Sequence, residues 1–342
     1  MELVERLLDG DRRALARAIT LTENEDPRAA ELARAVFPHT GRARTLGVTG
    51  PPGAGKSTLV DGLTHLYRRS GRRVGVVAVD PTSPFTGGAI LGDRIRMRRG
   101  AADPDVFIRS LATRGHLGGL SWHTGSVVRL LDAAGFDTVI IETVGAGQAE
   151  VEVMRYAETT IVVMVPGLGD EVQAIKAGIL EIADVIAVNK ADREGADSLV
   201  RELEMMLELG GRSRGGRSGE AWTVPVVKTV ATTDEGMEDL FAAAERHREH
   251  LASTGELEAW RTRELAAEVT GLIRDLVGQK AQAWAETAGA WEETLAQVAA
   301  RRMDPRTAAD TLVAEFLACA RSGSAEAAGG GPAGEISGGS GR

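Results

Sequence analysis

Between residues 43 and 252 the chain alternates two hydrophobic rhythms. Short, nearly unbroken apolar runs, among them VGVVAV, DTVIIE, TIVVMV and DVIAVN, are separated by stretches whose apolar residues recur every three or four positions. The first rhythm reads as strands buried on both faces, the second as amphipathic helices. Strands are predicted over 45–49, 73–79, 105–110, 137–142, 160–165, 184–189 and 223–230. Such alternation predicts an α/β fold with a mostly parallel sheet flanked by helices. Residues 1–42 predict an N-terminal helical lead-in of two short helices. One apolar face is formed by Leu3, Leu7, Leu8, Ala14 and Ile19, another by Ala29, Leu32, Ala33 and Val36. Residues 253–321 predict a C-terminal helical arm carrying Trp260, Trp284 and Trp291. Trp284 and Trp291 share a face if the helix runs through Gly289. The pattern leaves open whether this segment packs on the main domain or against another subunit. Residues 210–220 (GGRSRGGRSGE) read as a flexible basic loop. Residues 322–342 lack the apolar content to bury a core and are expected to be disordered.

Ligands on sheets of this kind sit beyond the carboxyl ends of the strands. The most informative stretch lies there. Gly50-Pro51-Pro52-Gly53-Ala54-Gly55-Lys56-Ser57-Thr58 fits G-x-x-x-x-G-K-[ST] between a predicted strand and a predicted helix. Glycines let the backbone approach a phosphate without a Cβ in the way. The loop N–H groups and the helix start then face the anion. Lys56 is expected to reach the β/γ-phosphates, and Ser57 to offer its hydroxyl to Mg²⁺. A glycine turn before a helix needs no Lys-Ser pair, so nucleoside triphosphate binding is the expectation.

Asn189-Lys190-Ala191-Asp192 is N-K-x-D at the end of a predicted strand. The Asp192 carboxylate can accept from both N1–H and the 2-amino group of guanine, whereas adenine offers the wrong edge. Asn189 and Lys190 would brace the loop and cover the base. GTP is therefore expected over ATP. Glu142-Thr143-Val144-Gly145 occupies the place of D-x-x-G, with Glu142 toward Mg²⁺ and the Gly145 N–H toward the γ-phosphate. Asp80 and Asp93 are further candidate metal carboxylates, and Arg94, Arg96, Arg98 and Arg99 form a basic run beside Asp93. Gln148 lies three residues past Gly145, and Ala146 directly follows it, so the common means of orienting the attacking water is absent. His116 begins H-x-x-G, but Arg114 stands where D-x-H-x-x-G requires Asp, which argues against cobalamin binding by that route.

Charge and composition narrow the partners. The net charge of −9 argues against nucleic acid. The single cysteine, Cys319, excludes an internal disulfide and a thiolate cluster. The histidines form no convincing metal set. The start of the chain lacks an apolar leader core, and no apolar run reaches membrane-spanning length. A soluble cytoplasmic protein with no membrane partner is expected.

Taken together, GPPGAGKST, AVDPTSPFTGGAILGDRIRM, IIETVGAGQAE, PGLGDEVQAIKAGILEIADV and NKAD closely resemble the MeaB/ArgK family of P-loop GTPases, from about Gly47 to Asp192 and more loosely to the helical C-terminus. The resemblance implies a SIMIBI-type P-loop domain over 43–252 and a dimerisation arm over 253–321. It further implies GTP/GDP and Mg²⁺ as ligands, a homodimer, and a role as chaperone of an adenosylcobalamin-dependent acyl-CoA mutase, chiefly methylmalonyl-CoA mutase. Such chaperones gate cofactor loading and protect the mutase. Hydrolysis would be slow alone and stimulated by the partner. By position, Lys56, Asp93 and Glu142 match catalytic residues, and Ser57, Asp80, Asp93 and Glu142 match the surroundings of the metal. Asp192 matches the guanine reader, and Gly167–Lys176 matches a segment that signals to the mutase. Val230-Ala231-Thr232 departs from the usual S-A-[KR] near the base, leaving the Ala231 N–H as the group toward guanine O6. A metal-insertion GTPase of the same superclass and a kinase are the competing readings. The first lacks a Cys/His cluster, and the second fits N-K-x-D poorly.

Overall fold

The computed structural model describes residues 2–80, 103–112, 119–143, 154–167, 180–209, 213–215 and 221–329. They divide into two units, Met1–Leu265 and Ala266–Arg342.

In the first unit the lead-in holds three helices rather than two. These are α1 (Glu2–Leu8), α2 (Arg12–Glu23) and α3 (Arg28–Val36), followed by a 3-10 turn over Phe37–His39. The break that apolar spacing does not reveal falls at Gly10 and Asp11. Gly10 has a φ of 81°, which favours a residue without Cβ. The Asp11 carboxylate accepts from the N–H groups of Arg13 and Ala14 and caps α2.

Nine strands are described: β1 (Arg44–Thr49), β2 (Val74–Asp80), β3 (Val106–Ala112), β4 (Thr138–Thr143), β5 (Thr159–Met164), β6 (Val185–Asn189), β7 (Ser213–Gly215), β8 (Ala221–Thr223) and β9 (Val226–Thr229). Seven form a wholly parallel sheet in the order β3-β2-β4-β1-β5-β6-β9. Around it lie α4 (Lys56–Arg69), α5 (Gly119–Ala133), α6 (Ala196–Leu209), α7 (Met237–Thr254) and the start of α8 (Glu256–Thr287). Alternate residues of each strand serve opposite cores. Val139 and Ile141 of β4 pack with the lead-in helices and α5, while Ile140 packs with α4 and α7. Ile161 and Val163 of β5 join the second core, and Val162 and Met164 meet Leu199 and Leu203 of α6. Both faces are covered, which is why these strands read as unbroken apolar runs.

Within the glycine-rich insert, the described residues 213–215 form a short strand that the composition does not predict. Residues 213–215 pair antiparallel with 221–223. Trp222 ties this ribbon down: its Nε1–H donates to Asp184 O at 2.8 Å, and its ring centroid lies 4.9 Å from that of His247.

The second unit contains the rest of α8, then α9 (Ala290–Ala299) and α10 (Pro305–Gly329). Gly289, at φ 74°, separates α8 from α9, so Trp284 and Trp291 lie on different helices. Trp284 instead faces Phe316 of α10, with ring centroids 6.2 Å apart. Helix α10 continues to Gly329, past Ser322 where disorder is expected to begin; residues 330–342 lie outside the described residues.

Candidate nucleotide-binding site

Because all seven strands run the same way, Thr49, Asp80, Thr143, Asn189 and Thr229 end on one edge of the sheet. The loop after β1 is built on glycines whose positions allow no other residue. A Cβ on Gly50, at φ 144°, would lie 2.2 Å from the Val163 carbonyl oxygen of β5. A Cβ on Gly55, at φ 89°, would lie 2.5 Å from Asn189 Nδ2. Gly55 occupies the N-cap of α4, where no side chain caps the helix and no acid stands in its first turn. The N–H groups at this helix start are thus not taken by a capping side chain, and the positive end of the helix dipole favours an anion. Pro51, Pro52, Gly53, Ala54 and Thr58 complete the loop and helix start.

Lys56 is buried, 6% exposed, and its Nζ donates to Gly50 O at 2.7 Å and Pro51 O at 3.0 Å. The two carbonyls hold the ammonium in the loop. The Ser57 hydroxyl donates to Glu142 Oε1 at 2.5 Å, and Glu142 is 1% exposed at the end of β4. A hydroxyl and a carboxylate brought together at a helix start form an all-oxygen set of the kind that suits Mg²⁺. The backbone of Asp80 ends β2 next to β4 on this edge. Asp93, the arginines around it, His116, Gly145 and Gln148 lie outside the described residues, as do the residues that follow Gly167 up to Lys176.

The second half of the site is strapped to the first. Asn189 Nδ2 donates to Ala54 O at 2.8 Å, and Lys190 Nζ donates to Gly53 O at 2.7 Å. Lys190 adopts φ 57°, the left-handed conformation that turns the chain sharply toward Asp192, which is exposed. On the other side Asn189 Oδ1 accepts from the Ala231 N–H at 3.1 Å and the Thr229 hydroxyl at 3.3 Å. The Ala231 N–H, expected to face guanine O6, is therefore engaged in bracing Asn189. Val230 donates its N–H to Glu235 O, which closes the turn that carries Ala231 and Thr232.

Two contributors escape the sequence reading. Thr229 supports Asn189 from a strand that ends forty residues later. A buried hydroxyl pair, Thr143 Oγ1 to Thr49 Oγ1 at 3.0 Å, ties the end of β4 to the residue before Gly50. Threonines at adjacent ends of neighbouring strands are the only signal for either, and that adjacency is visible only once strand order is known.

An Asn-Lys-x-Asp turn has little reason to be strapped to a phosphate loop unless one ligand spans both, and that ligand is a guanine nucleotide. The fold and this strap define a P-loop protein of the GTPase class. Residues 15–286 match the family described as methylmalonyl Co-A mutase-associated GTPase MeaB, and the chain belongs to that family. A relative from Pyrococcus abyssi whose name describes a GTPase is 48% identical, over 92% of this chain and 96% of its own. The mouse protein named methylmalonic aciduria type A homolog, mitochondrial, is 33% identical, over 79% of this chain and 68% of its own. A solved structure described as LAO/AO transport system kinase superposes with a TM-score of 0.67 at 30% identity, covering 92% of this chain and 96% of that one.

Proposed function

We propose that this protein is a GTP-hydrolysing chaperone of an adenosylcobalamin-dependent acyl-CoA mutase, most simply methylmalonyl-CoA mutase, acting in cofactor loading and protection. The observation that carries the guanine half of this reading is the Asn189 strap between the phosphate loop and the base-side turn. The mutase half is supported by the family and by the name of the mouse relative.

In this reading Lys56 supplies a fixed positive charge to the β/γ-phosphates. Asp192 accepts from the two guanine donors, while Asn189 and Lys190 keep loop and base turn in register. Ser57 and Glu142, with Asp80 and Asp93, hold Mg²⁺, which when bound neutralises charge on the transferring phosphoryl group. The Gly145 N–H senses the γ-phosphate, and the residues from Gly167 to Lys176 carry the state to the mutase. Hydrolysis by the lone protein is slow because no glutamine follows Gly145. A homodimer formed through the C-terminal helices is supported by a row of exposed apolar residues on α8: Val269, Leu272, Ile273, Leu276 and Val277. Their spacing of three and four puts them on one helical face.

The test is phosphate release from GTP by the full chain, with and without a cobalamin-dependent acyl-CoA mutase. Acceleration by the mutase is expected. Fast turnover that ignores any such mutase would sink the chaperone reading. Label from the γ-phosphate appearing on an acceptor other than water would favour a kinase.

A further inference from the structure

Gly62 is buried in the interior of α4, where glycine is less favourable than alanine. Its φ is ordinary, so backbone conformation does not call for it; a neighbour does. A Cβ there would lie 2.9 Å from the Met237 methyl carbon, 3.8 Å from Met237 Cγ and 3.7 Å from Asp234 Oδ1. Met237, 1% exposed, is the first residue of α7 and fills this notch. At the start of α4, Gly55 admits Asn189 Nδ2 in the same manner. Gly62 lies roughly two turns farther on, near the same side of the helix. The base side of the site thus rests on α4 at Gly55 and again at Gly62.

Met237 carries the turn that joins β9 to α7. Val230 N–H donates to Glu235 O at 2.9 Å, Thr233 N–H to Val230 O at 3.0 Å and Met237 N–H to Asp234 O at 3.3 Å. Gly236, at φ 72°, runs so close to β9 that a Cβ would lie 2.0 Å from Lys228 O. These closures leave the turn little freedom to move apart from α7. The turn and the end of β9 in turn hold the Asn-Lys-x-Asp segment. Ala231 N–H donates to Asn189 Oδ1 at 3.1 Å, and Ala191 N–H to Thr229 O at 3.0 Å. Asp192 follows Ala191 directly. Ala54 of the phosphate loop, Leu59 and Leu63 of α4, Ala231 and Met237 share one core. Close-packed interiors compress little and pass displacement on.

We infer that Gly62 and Met237 are positioning residues for guanine selection. The methionine seated in the glycine notch sets how far the base turn stands from the phosphate loop, and so where Asp192 meets the base. Both residues are buried, and they act through Ala231, Asn189 and Ala191 rather than on the nucleotide. The inference rests on the GTPase reading of the site.

The test compares GTP with inosine triphosphate, which lacks only the 2-amino group that Asp192 would read. Both are titrated calorimetrically against the full chain with Mg²⁺. A merely structural role would lower both affinities together and leave their ratio unchanged. The parent is expected to prefer GTP by about 10-fold or more, the worth of one hydrogen bond to a charged group. Gly62→Val should displace the base turn and bring that preference close to unity. Met237→Ala, which empties the notch, should also reduce it. Combining Gly62→Val with Met237→Ala moves the missing volume from one side of the contact to the other, the kind of exchange that cores tolerate best, and should restore the preference. If Gly62→Val does not fold, Met237→Ala decides the matter. An unchanged ratio in either folded single variant overturns the inference, whether or not the affinities fall. So does a folded double variant that is no more selective than Gly62→Val. Absence of a preference in the parent overturns the Asp192 reading of guanine, and absence of binding overturns the GTPase reading as well.

Discussion

At Asn189 a single amide holds three parts of the chain, the Ala54 carbonyl, the Ala231 N–H and the Thr229 hydroxyl. All of this is buried. Asn189→Ala would leave Ala54 O and Ala231 N–H without these partners, and an unsatisfied buried group costs about 1–3 kcal/mol. GTP affinity should therefore fall by roughly one to three decades, with GDP falling in parallel because the strap serves loop and base rather than the γ-phosphate. Calorimetric titration of both nucleotides checks this; a loss confined to GTP would contradict it. Asp192 is a different case, since it is exposed and its proposed role is toward the ligand rather than the protein. Hydrogen bonds to a charged group contribute ~1.5–3 kcal/mol each, so Asp192→Asn, which removes an acceptor for two donors, should weaken GTP by roughly two to four decades. Xanthosine triphosphate should gain where GTP loses, and unchanged GTP binding would remove Asp192 from this role. Both residues were legible in the sequence because their motif is contiguous. The partners that give Asn189 its strength were not, because Thr229 and Ala231 reach it only through the β6–β9 pairing.

Elements were legible where one rhythm runs long enough. Strands β1 to β6 fall within one or two residues of their apolar runs, because a parallel strand covered on both faces has no polar alternation to blur it. The ribbon of 213–215 with 221–223 was not legible, since its glycines and arginines carry no strand signal and its anchor is one indole bonded to Asp184. How α7 is held onto α4 and β1 was equally hidden. Glu245 of α7 accepts from Arg72 Nη2 at 2.8 Å and from Tyr67 OH at 3.2 Å, and it also pairs with Arg44. Burial pushes its carboxyl up, but the Arg72 and Arg44 hydrogen bonds outweigh burial and leave it below the ordinary carboxylate range. A carboxyl lowered on folding contributes stability that is present above its unfolded pKa and lost as pH falls through the folded one. Glu245→Gln should thus lower the melting temperature at pH 7, and the gap to the parent should close as the solution becomes acidic enough to protonate Glu245. Thermal melts from pH 7 down to pH 3 read this directly. A gap that stays constant across that range would mean that shape rather than charge holds the knot.

At the scale of the whole molecule, the boundary at Leu265 separates a unit that carries the whole described site from one whose helices keep much apolar surface in water. The first unit has its own cores, and α8 is pinned to it by Arg261 and Glu264 before that boundary. Cutting after Leu265 keeps both pins, whereas cutting after α7 would strand the Glu158 carboxylate with Arg248 alone. In the second unit Val269, Leu272, Ile273, Leu276 and Val277 are exposed along one face of α8. Fully burying an apolar side chain contributes about 1.5–3 kcal/mol. Two such rows, already half-covered, bring on the order of 10 kcal/mol, against an association cost of about 4–15 kcal/mol. On these figures the proposed homodimer is expected to be reversible rather than inseparable. The full chain should move from monomer toward dimer mass across micromolar concentrations in light scattering. The chain ending at Leu265 should stay monomeric and bind GTP within a few-fold of the parent. Ile273→Asp with Leu276→Asp should reproduce the monomer without shortening the chain, which separates loss of the apolar row from loss of the helices. A full-length protein that is monomeric throughout, or a double variant that still dimerises, would show that this face serves something other than a second copy.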